Sequence, residues 1–263
     1  MANVKRWAIR DAGIATFYAL TDITNGAKAG EPIVTLPSLK TSGVETTGET
    51  VYARGGRGNS KLVGFSSNRE AKITFENALF DNEALGMLTG NIVTEGVENV
   101  EVQHFYNVVT PGSETVTPSA TPVAGTQASA FLYVDGMKDG EELQATVNGS
   151  DIDIDTTGLS AGDTIIIYYV AATDAFSSTV NVTTDAFGGT FKVVLDLLVT
   201  DSVSKADYAA QLVIPNAKFE DNFNLDLSAD GDPATLNLNL EILKDPNSTD
   251  MWKLIIFDDE TLS

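Results

Sequence analysis

KFEDNFNLDLSADGDPATLNLNLEIL, residues 218–243, consists of two runs of alternating polar and apolar side chains joined by a turn. Lys218, Glu220, Asn222, Asn224, Asp226 and Ser228 fall on one parity, and Phe219, Phe223, Leu225 and Leu227 on the other, interrupted at Asp221. After the turn cluster Asp230-Gly231-Asp232-Pro233 the alternation resumes, with Thr235, Asn237, Asn239 and Glu241 set against Leu236, Leu238, Leu240 and Ile242. Successive side chains of a strand point to opposite faces, so this pattern predicts a long antiparallel hairpin with one apolar face and one face of carboxylates and amides. Basic residues are almost absent from the polar parity. Such a face suits contact with water and repels a polyanion.

The chain has 263 residues, enough for one large β domain or two smaller ones, with 43% hydrophobic and 20% charged residues. No apolar run approaches the roughly 18 to 20 residues that a membrane-crossing helix needs, so membrane insertion is not expected. The stretch MANVKRWAIRDAG has basic residues with no apolar segment behind them, unlike a secretory signal. The absence of cysteine removes thiol catalysis, disulfides and thiolate metal sites. Net charge is −21 but uneven: residues 1–72 hold ten Lys and Arg against six Asp and Glu, and the remainder six against 31. A basic head and an acidic body fit a subunit that associates head to tail, while acidity alone also serves solubility. The acidic balance argues against gripping nucleic acid, whose phosphates call for Lys and Arg.

Residues 1–10 read as an arm with Trp7 and Ile9 as anchors, followed by strands near 14–20 and 33–36. The segment 43–60, GVETTGETVYARGGRGNS, is the most loop-like in composition and carries Arg54 and Arg57 among glycines. It lacks the Lys-Ser/Thr that follows the last glycine of a phosphate-binding loop, so arginines reaching an acidic neighbour are the better reading. Residues 61–76 form a strand in which Glu70, Lys72, Thr74 and Glu76 alternate with Ala71, Ile73 and Phe75. The period then changes, and ALFDNEALGMLTGN places Leu79, Leu85 and Leu88 at helical spacing, with Asp81 or Asn82 as N-cap and Gly90 as C-cap. One short helix, about 81–89, is expected to pack Met87 and its leucines on a sheet. The Thr/Pro/Ser/Gly-rich stretch 110–128 opens a series of short strands up to residue 173, read as an inserted β subdomain or a long excursion of the parent sheet. The fold class is mostly β, two packed sheets or a barrel with one flanking helix.

Motifs that carry chemistry are scarce. His104 is the sole histidine, and a single strand histidine builds neither a triad nor a metal site. Asp151, Asp153 and Asp155 share one face of a strand, but Thr156 and Gly162 stand where a calcium loop needs Gly and a bidentate Glu. They read better as a wet strand face. No nucleophile elbow, Walker or Rossmann fingerprint is present, and no carboxylate pair sits in a recognisable glycosidase setting. The chain is therefore read as a non-enzyme with no cofactor and no metal.

The order of basic arm, Gly/Arg loop, strand, the short helix in FENALFDNEALGMLTGN, long strands and a closing polar/apolar hairpin resembles that of bacteriophage major tail tube proteins. The resemblance covers roughly residues 1–109 and 174–258. It implies a tail-tube β domain formed by 1–109 and 174–263; the stretch 110–173 departs from small tube proteins by its extra length and is read as an inserted, outward-facing decoration. It further implies a structural virion protein, assembled in the host cytoplasm, that self-assembles into stacked hexameric rings forming a hollow tube for genome delivery. The implied partners are other copies of the chain, contacted laterally and head to tail, and further tail proteins: initiator, terminator, tape measure, and sheath if the tail contracts. DNA would pass without specific binding. On this reading Glu220, Asn222, Asn224, Asp226, Asn237, Asn239 and Glu241 line the channel, and Tyr52, Arg54, Arg57 and Asn59 form an inter-ring contact loop. Two other readings of the same chain are a secretion-system tube subunit and a monomeric adhesin-like module that recognises carbohydrate or a receptor through Tyr168, Tyr169, Phe176 and Trp252.

Overall fold

The computed structural model describes residues 4–11, 13–22, 27–224 and 234–258. In chain order the strands are β1 (Trp7–Ile9), β2 (Ile14–Ala19), β3 (Pro32–Leu36), β4 (Leu39–Gly55), β5 (Ser60–Asn77), β6 (Thr94–Glu95), β7 (Asn99–Asn107), β8 (Glu114–Val116) and β9 (Ser129–Val134). They continue as β10 (Met137–Leu143), β11 (Ala145–Asn148), β12 (Asp151–Ile154), β13 (Thr164–Ala172), β14 (Ser178–Thr179), β15 (Thr190–Asp201), β16 (Asp207–Phe219), β17 (Leu236–Ile242) and β18 (Lys253–Phe257). The helix α1 spans Asn82–Thr89. The protein is mostly β, built from antiparallel sheets with one helix among the described residues. It divides into two compact units, one ending at Val93 and resuming at Val180, the other spanning 94–179.

The first unit is a nine-stranded sheet in the order β3-β2-β15-β16-β17-β5-β4, with β1 added on β15 and β18 on β16. Alternation puts Phe17 of β2, Phe75 of β5, Phe191 and Leu195 of β15, Ile214 and Phe219 of β16, and Leu236 to Ile242 of β17 into one buried cluster. Four strand spacings separate β2 from β5 along the ladder, roughly 19 Å in a flat sheet. Yet the rings of Phe17 and Phe75 lie 5.9 Å apart, and Phe17 stacks on Phe219 at 5.7 Å. The sheet is therefore rolled round its own apolar face, which is how so long a sheet closes a core without a second layer. Bulges assist the curvature. Between Val193↔Ile214 and Phe191↔Ala217 the register shifts, so that Pro215 and Asn216 share one position opposite β15. A proline has no N–H for the ladder, and here it marks the point where β16 changes partner from β18 to β17.

α1 forms where its ends say it should. The Asp81 carboxylate accepts from the Ala84 N–H at 3.0 Å, and Gly90 closes the helix in the left-handed region at φ 74°. Gly90 has a second reason to lack a side chain, since a Cβ there would meet the Phe187 carbonyl oxygen at 2.1 Å. The buried side of the helix brings Met87 and Leu88 onto the core, as the sequence predicts, with Ala84 beside them and Leu85 partly buried; Leu79 lies before the helix and is 64% exposed.

Within this unit three expectations change. Residues 43–60, read as a loop, are mostly strand: β4 and β5 pair from Leu39↔Asn77 to Gly55↔Ser60, and only Gly56–Asn59 turn at the tip. Composition misleads here because both faces of this stretch are exposed, so no apolar period is written into it. Residues 7–9 of the expected arm are tied down as β1, with Trp7 opposite Asp201. The closing hairpin is shorter than its alternation suggests: β16 pairs with β17 only from Ala217↔Ile242 to Phe219↔Leu240, extended by the Glu220 N–H to the Asn239 carbonyl at 2.9 Å. Asp221 explains the break, because a carboxylate on the apolar parity cannot enter the core; it turns instead to Lys218 at 3.4 Å.

The second unit holds a four-stranded sheet, β10-β9-β13-β7, and a three-stranded one, β11-β12-β8. Its core gathers Ile152, Ile154, Ile165, Ile167 and Tyr169. It begins at Thr94 rather than at residue 110, because β7 pairs with β13 along its whole length, from Asn99↔Ala172 to Asn107↔Thr164. Glu114 is 8% exposed and accepts from the backbone N–H groups of Thr110 and Val109 and from the Tyr106 hydroxyl. Those donors, the Thr110 N–H foremost, hold its carboxyl below the usual carboxylate range against the opposing pull of burial. Entry and exit of this unit meet as a strand pair, Thr94↔Thr179 and Glu95↔Ser178.

Candidate functional site: a polar sheet face and a protruding hairpin

Opposite the core, β4, β5, β17 and the end of β16 present a continuous polar face. Paired residues of an antiparallel ladder share a side, so the register sets out its rows. Glu45, Lys72, Glu241 and Lys218 stand side by side across the four strands. The next row runs through Gly43, Thr74 and Asn239, and the one beyond it through Thr41, Glu76 and Asn237. Of the predicted lining residues, Asn237, Asn239 and Glu241 lie on this face, each beside a buried leucine or isoleucine of β17. Glu220 joins them from just beyond β16. Asn222 and Asn224 are exposed and lie outside any strand; with Phe223 they border a recess of about 480 Å³ over Thr41, Thr74, Glu76, Asn237 and Asn239. Asp226 lies outside the described residues.

The sequence reading missed the contribution of β5. Lys72, Thr74 and Glu76 belong to the same face as Asn237–Glu241, and the alternation of 70–76 was its signal, though pairing with a strand some 160 residues away is not visible in it. Lys72 also alters the expected chemistry, since it puts a cation in the middle of the face. That cation is not free. Its ammonium donates to the Glu220 carboxylate and lies 4.0 Å from Glu241. The hydrogen bond and charge of Glu220 lead in raising the Lys72 pKa above its ordinary value, with Glu241 and Glu70 adding to it. Lys218 is held likewise by Asp221.

The inter-ring residues occupy the far end of the β4–β5 hairpin. Tyr52 and Arg54 are on β4, while Arg57 and Asn59 belong to the turn, where Asn59 takes a positive φ of 52° and its N–H reaches the Gly56 carbonyl at 3.1 Å. The Lys61 ammonium sits 3.9 Å from the Tyr52 ring centroid. All four residues are exposed, as is nearly every residue from Glu45 to Glu70. From Thr50 to Ser66 the hairpin has three basic residues, Arg54, Arg57 and Lys61, and no acidic one. Apolar side chains accompany them: Val51 and Phe65 face each other across the ladder and are 59% and 60% exposed, with Val63 beside them and Leu62 at a bulge. These four were not singled out in the sequence. Monomeric proteins seldom expose such a strip without a partner for it.

The aromatic residues of the adhesin-like reading differ in their settings. Tyr169 is a core residue whose hydroxyl donates to the Ala120 carbonyl at 3.0 Å, and Tyr168 packs edge-on against Phe131. Phe176 is exposed in the second unit, whereas Trp252 belongs to the first and donates to Thr46 Oγ1 at 3.1 Å. Asp151 and Asp153 accept from Thr117 and Thr115, and Asp153 also from Asn148. Among the described residues, no group of three or more His, Asp or Glu side chains is arranged to hold a metal ion, and no helix is long and apolar enough to cross a membrane.

No curated protein matches the chain. A family model does: residues 16–256 match that of the YomU/Tube protein family.

Proposed function

The chain belongs to the YomU/Tube protein family, and from that premise we propose that it is the structural subunit of a phage tail tube, assembling into stacked rings through whose bore the genome passes. The family's name is that of a tube protein and agrees with the resemblance in the order of the elements. The observation that carries the finer reading is the β4–β5 hairpin: a strand pair projecting beyond the core, basic at its end and apolar along its sides. In this proposal the hairpin seats on a copy in the next ring, Arg54 and Arg57 meeting carboxylates there, and the rest of the chain, with its large acidic excess, supplies them. Head-to-tail contacts of this kind are heterologous and propagate into a filament.

The polar face of β4, β5 and β17, with Glu220, is proposed as the channel wall. A duplex carries one charge per about 1.7 Å of axis, so a wall of amides, hydroxyls and carboxylates lets it slide where a basic wall would hold it. The role is structural, with no catalytic step. Negative-stain electron microscopy of the purified chain over a concentration series is the test. Rings or hollow tubes are expected, alone or on adding an initiating tail complex; single particles under both conditions refute the proposal. Replacing Arg54 and Arg57 by Glu is expected to leave the subunit folded and to stop stacking, and tubes of unchanged length would remove these residues from the contact.

A further inference from the structure

The row Glu45, Lys72, Glu241, Lys218 alternates in sign across four strands. If the lysines served only to pair neighbouring strands, one carboxylate each would do. Lys72 has more: Glu241 beside it in the row and Glu220, whose carboxylate reaches it from beyond the end of β16. Glu220 is the least exposed member of this group, its side chain 17% accessible against 48% for Lys72. The carboxylate is thus the anchored partner and the lysine the one that comes to it. Lys218, the other cation of the row, has Asp221 at 3.4 Å as well as Glu241 opposite. An anion approaching either ammonium therefore meets the field of a carboxylate within 4.0 Å of that cation.

We propose that Glu220 and Glu241 act as a charge mask for Lys72, so that a phosphate passing the polar face finds no cation free to hold it. This rests on the reading of that face as a channel wall. The mask reconciles two demands on one surface. The lysine ties β5 to β17 and to the chain leaving β16, which an all-acidic face would drive apart by like-charge repulsion across the ladder. Its charge is cancelled locally, so the tie introduces no sticking point for a polyanion. Glu220 is the residue that decides this for Lys72, because it adds a contact that the ladder itself does not supply.

The test reads the local potential at Lys72 directly. Full-length protein is acylated with an uncharged N-hydroxysuccinimide ester and, separately, with its sulfonated analogue, and the rate at Lys72 is followed by peptide mass spectrometry. The sulfonate stands in for a phosphate, and the ratio of the two rates cancels differences in amine basicity and accessibility. Each carboxylate within about 8 Å of the sulfonate slows it roughly twofold at low salt. Glu220→Gln with Glu241→Gln is accordingly expected to raise the sulfonated-to-neutral ratio about fourfold, with the gain shrinking in 1 M salt, where the screening length is about 3 Å. Glu76→Gln, on the same strand face but four residues or roughly 13 Å from Lys72, is the control and should move the ratio by clearly less than the double variant does. A ratio that stays the same in the double variant, or rises as much in the control, overturns the proposal. Should the double variant fail to fold by circular dichroism, the single variants are read in the same way, each with about a twofold gain expected and no gain in either counting against the mask. The outcome is separable from the channel reading: an unmoved ratio in protein that forms tubes removes the mask alone, while protein that forms no tubes removes the channel whatever the ratio.

Discussion

Replacing Val63 and Phe65 by Thr puts the proposed stacking contact to a quantitative test. Both lie on the protruding part of β5, opposite Ala53 and Val51, and are 52% and 60% exposed in the isolated subunit. Fully burying a Val or Phe side chain is worth about 1.5–3 kcal/mol, so covering the half still exposed adds about 1–1.5 kcal/mol for each residue. Threonine keeps the β-branch and the strand preference while giving up most of that gain. The double substitution should therefore weaken each hairpin contact by about 2 kcal/mol, roughly thirtyfold in its association constant. In the proposed tube a ring makes several such contacts at once, so the critical concentration for tube growth, read by pelleting and electron microscopy, should rise by at least that factor. The subunit itself should be unaffected, because neither side chain belongs to the core, and its melting temperature should stay within about 2 °C. Tubes growing at the original critical concentration would refute the argument that this strip is covered by a second copy. A large fall in melting temperature would refute the claim that the hairpin stands outside the core.

Leu238→Ala, at a position with no solvent exposure in the rolled sheet, should lower the unfolding free energy by about 2–5 kcal/mol, seen as a lower urea midpoint at unchanged slope. Asp81→Ala removes the acceptor for the Ala84 N–H and should cost about 1 kcal/mol in the same assay. Glu114 gives a pH dependence of definite sign. Its folded pKa is depressed, so its contribution is present above the unfolded value of about 4.3 and disappears as pH falls through the folded one. Thermal melts should show Glu114→Gln less stable than the parent at pH 7, and the difference should shrink as pH falls from the unfolded value through the lower folded one; a gap that persists in strong acid would mean that its hydrogen bonds, and not its charge, hold the Thr110 turn.

What the sequence discloses depends on how local the cause is. α1 is legible because Asp81 and Gly90 lie within a turn of the residues they cap, and β17 because the core reads every second residue of it. Of the β4–β5 hairpin, β5 is legible from the alternation of 70–76, whereas the protruding part of β4 is hidden because strand pairing alone holds it, and pairing without burial leaves no periodicity. The end of the β16–β17 ladder is foreshadowed by Asp221, the single break in the alternation of 218–228, but its meaning depends on Lys218 being near. The boundary at Thr94 and the place of Lys72 on the polar face are long-range facts: the first follows from β7 finding β13, the second from β5 finding β17. For the candidate site the consequence is that single residues such as Asn237 and Glu241 can be named from the pattern, whereas the charge balance around them cannot.

The pairing of Thr94 with Thr179 and of Glu95 with Ser178 means that the chain leaves the first unit and re-enters it through one narrow neck. Everything between is, in topological terms, a cassette: its two ends are already neighbours, and a short turn could join them without asking any strand of the rolled sheet to change its partner. A lineage could thus lose, lengthen or exchange this module while keeping the scaffold, and an engineer could do the same, using the neck as a grafting point for a foreign domain to be shown once per subunit along the proposed tube.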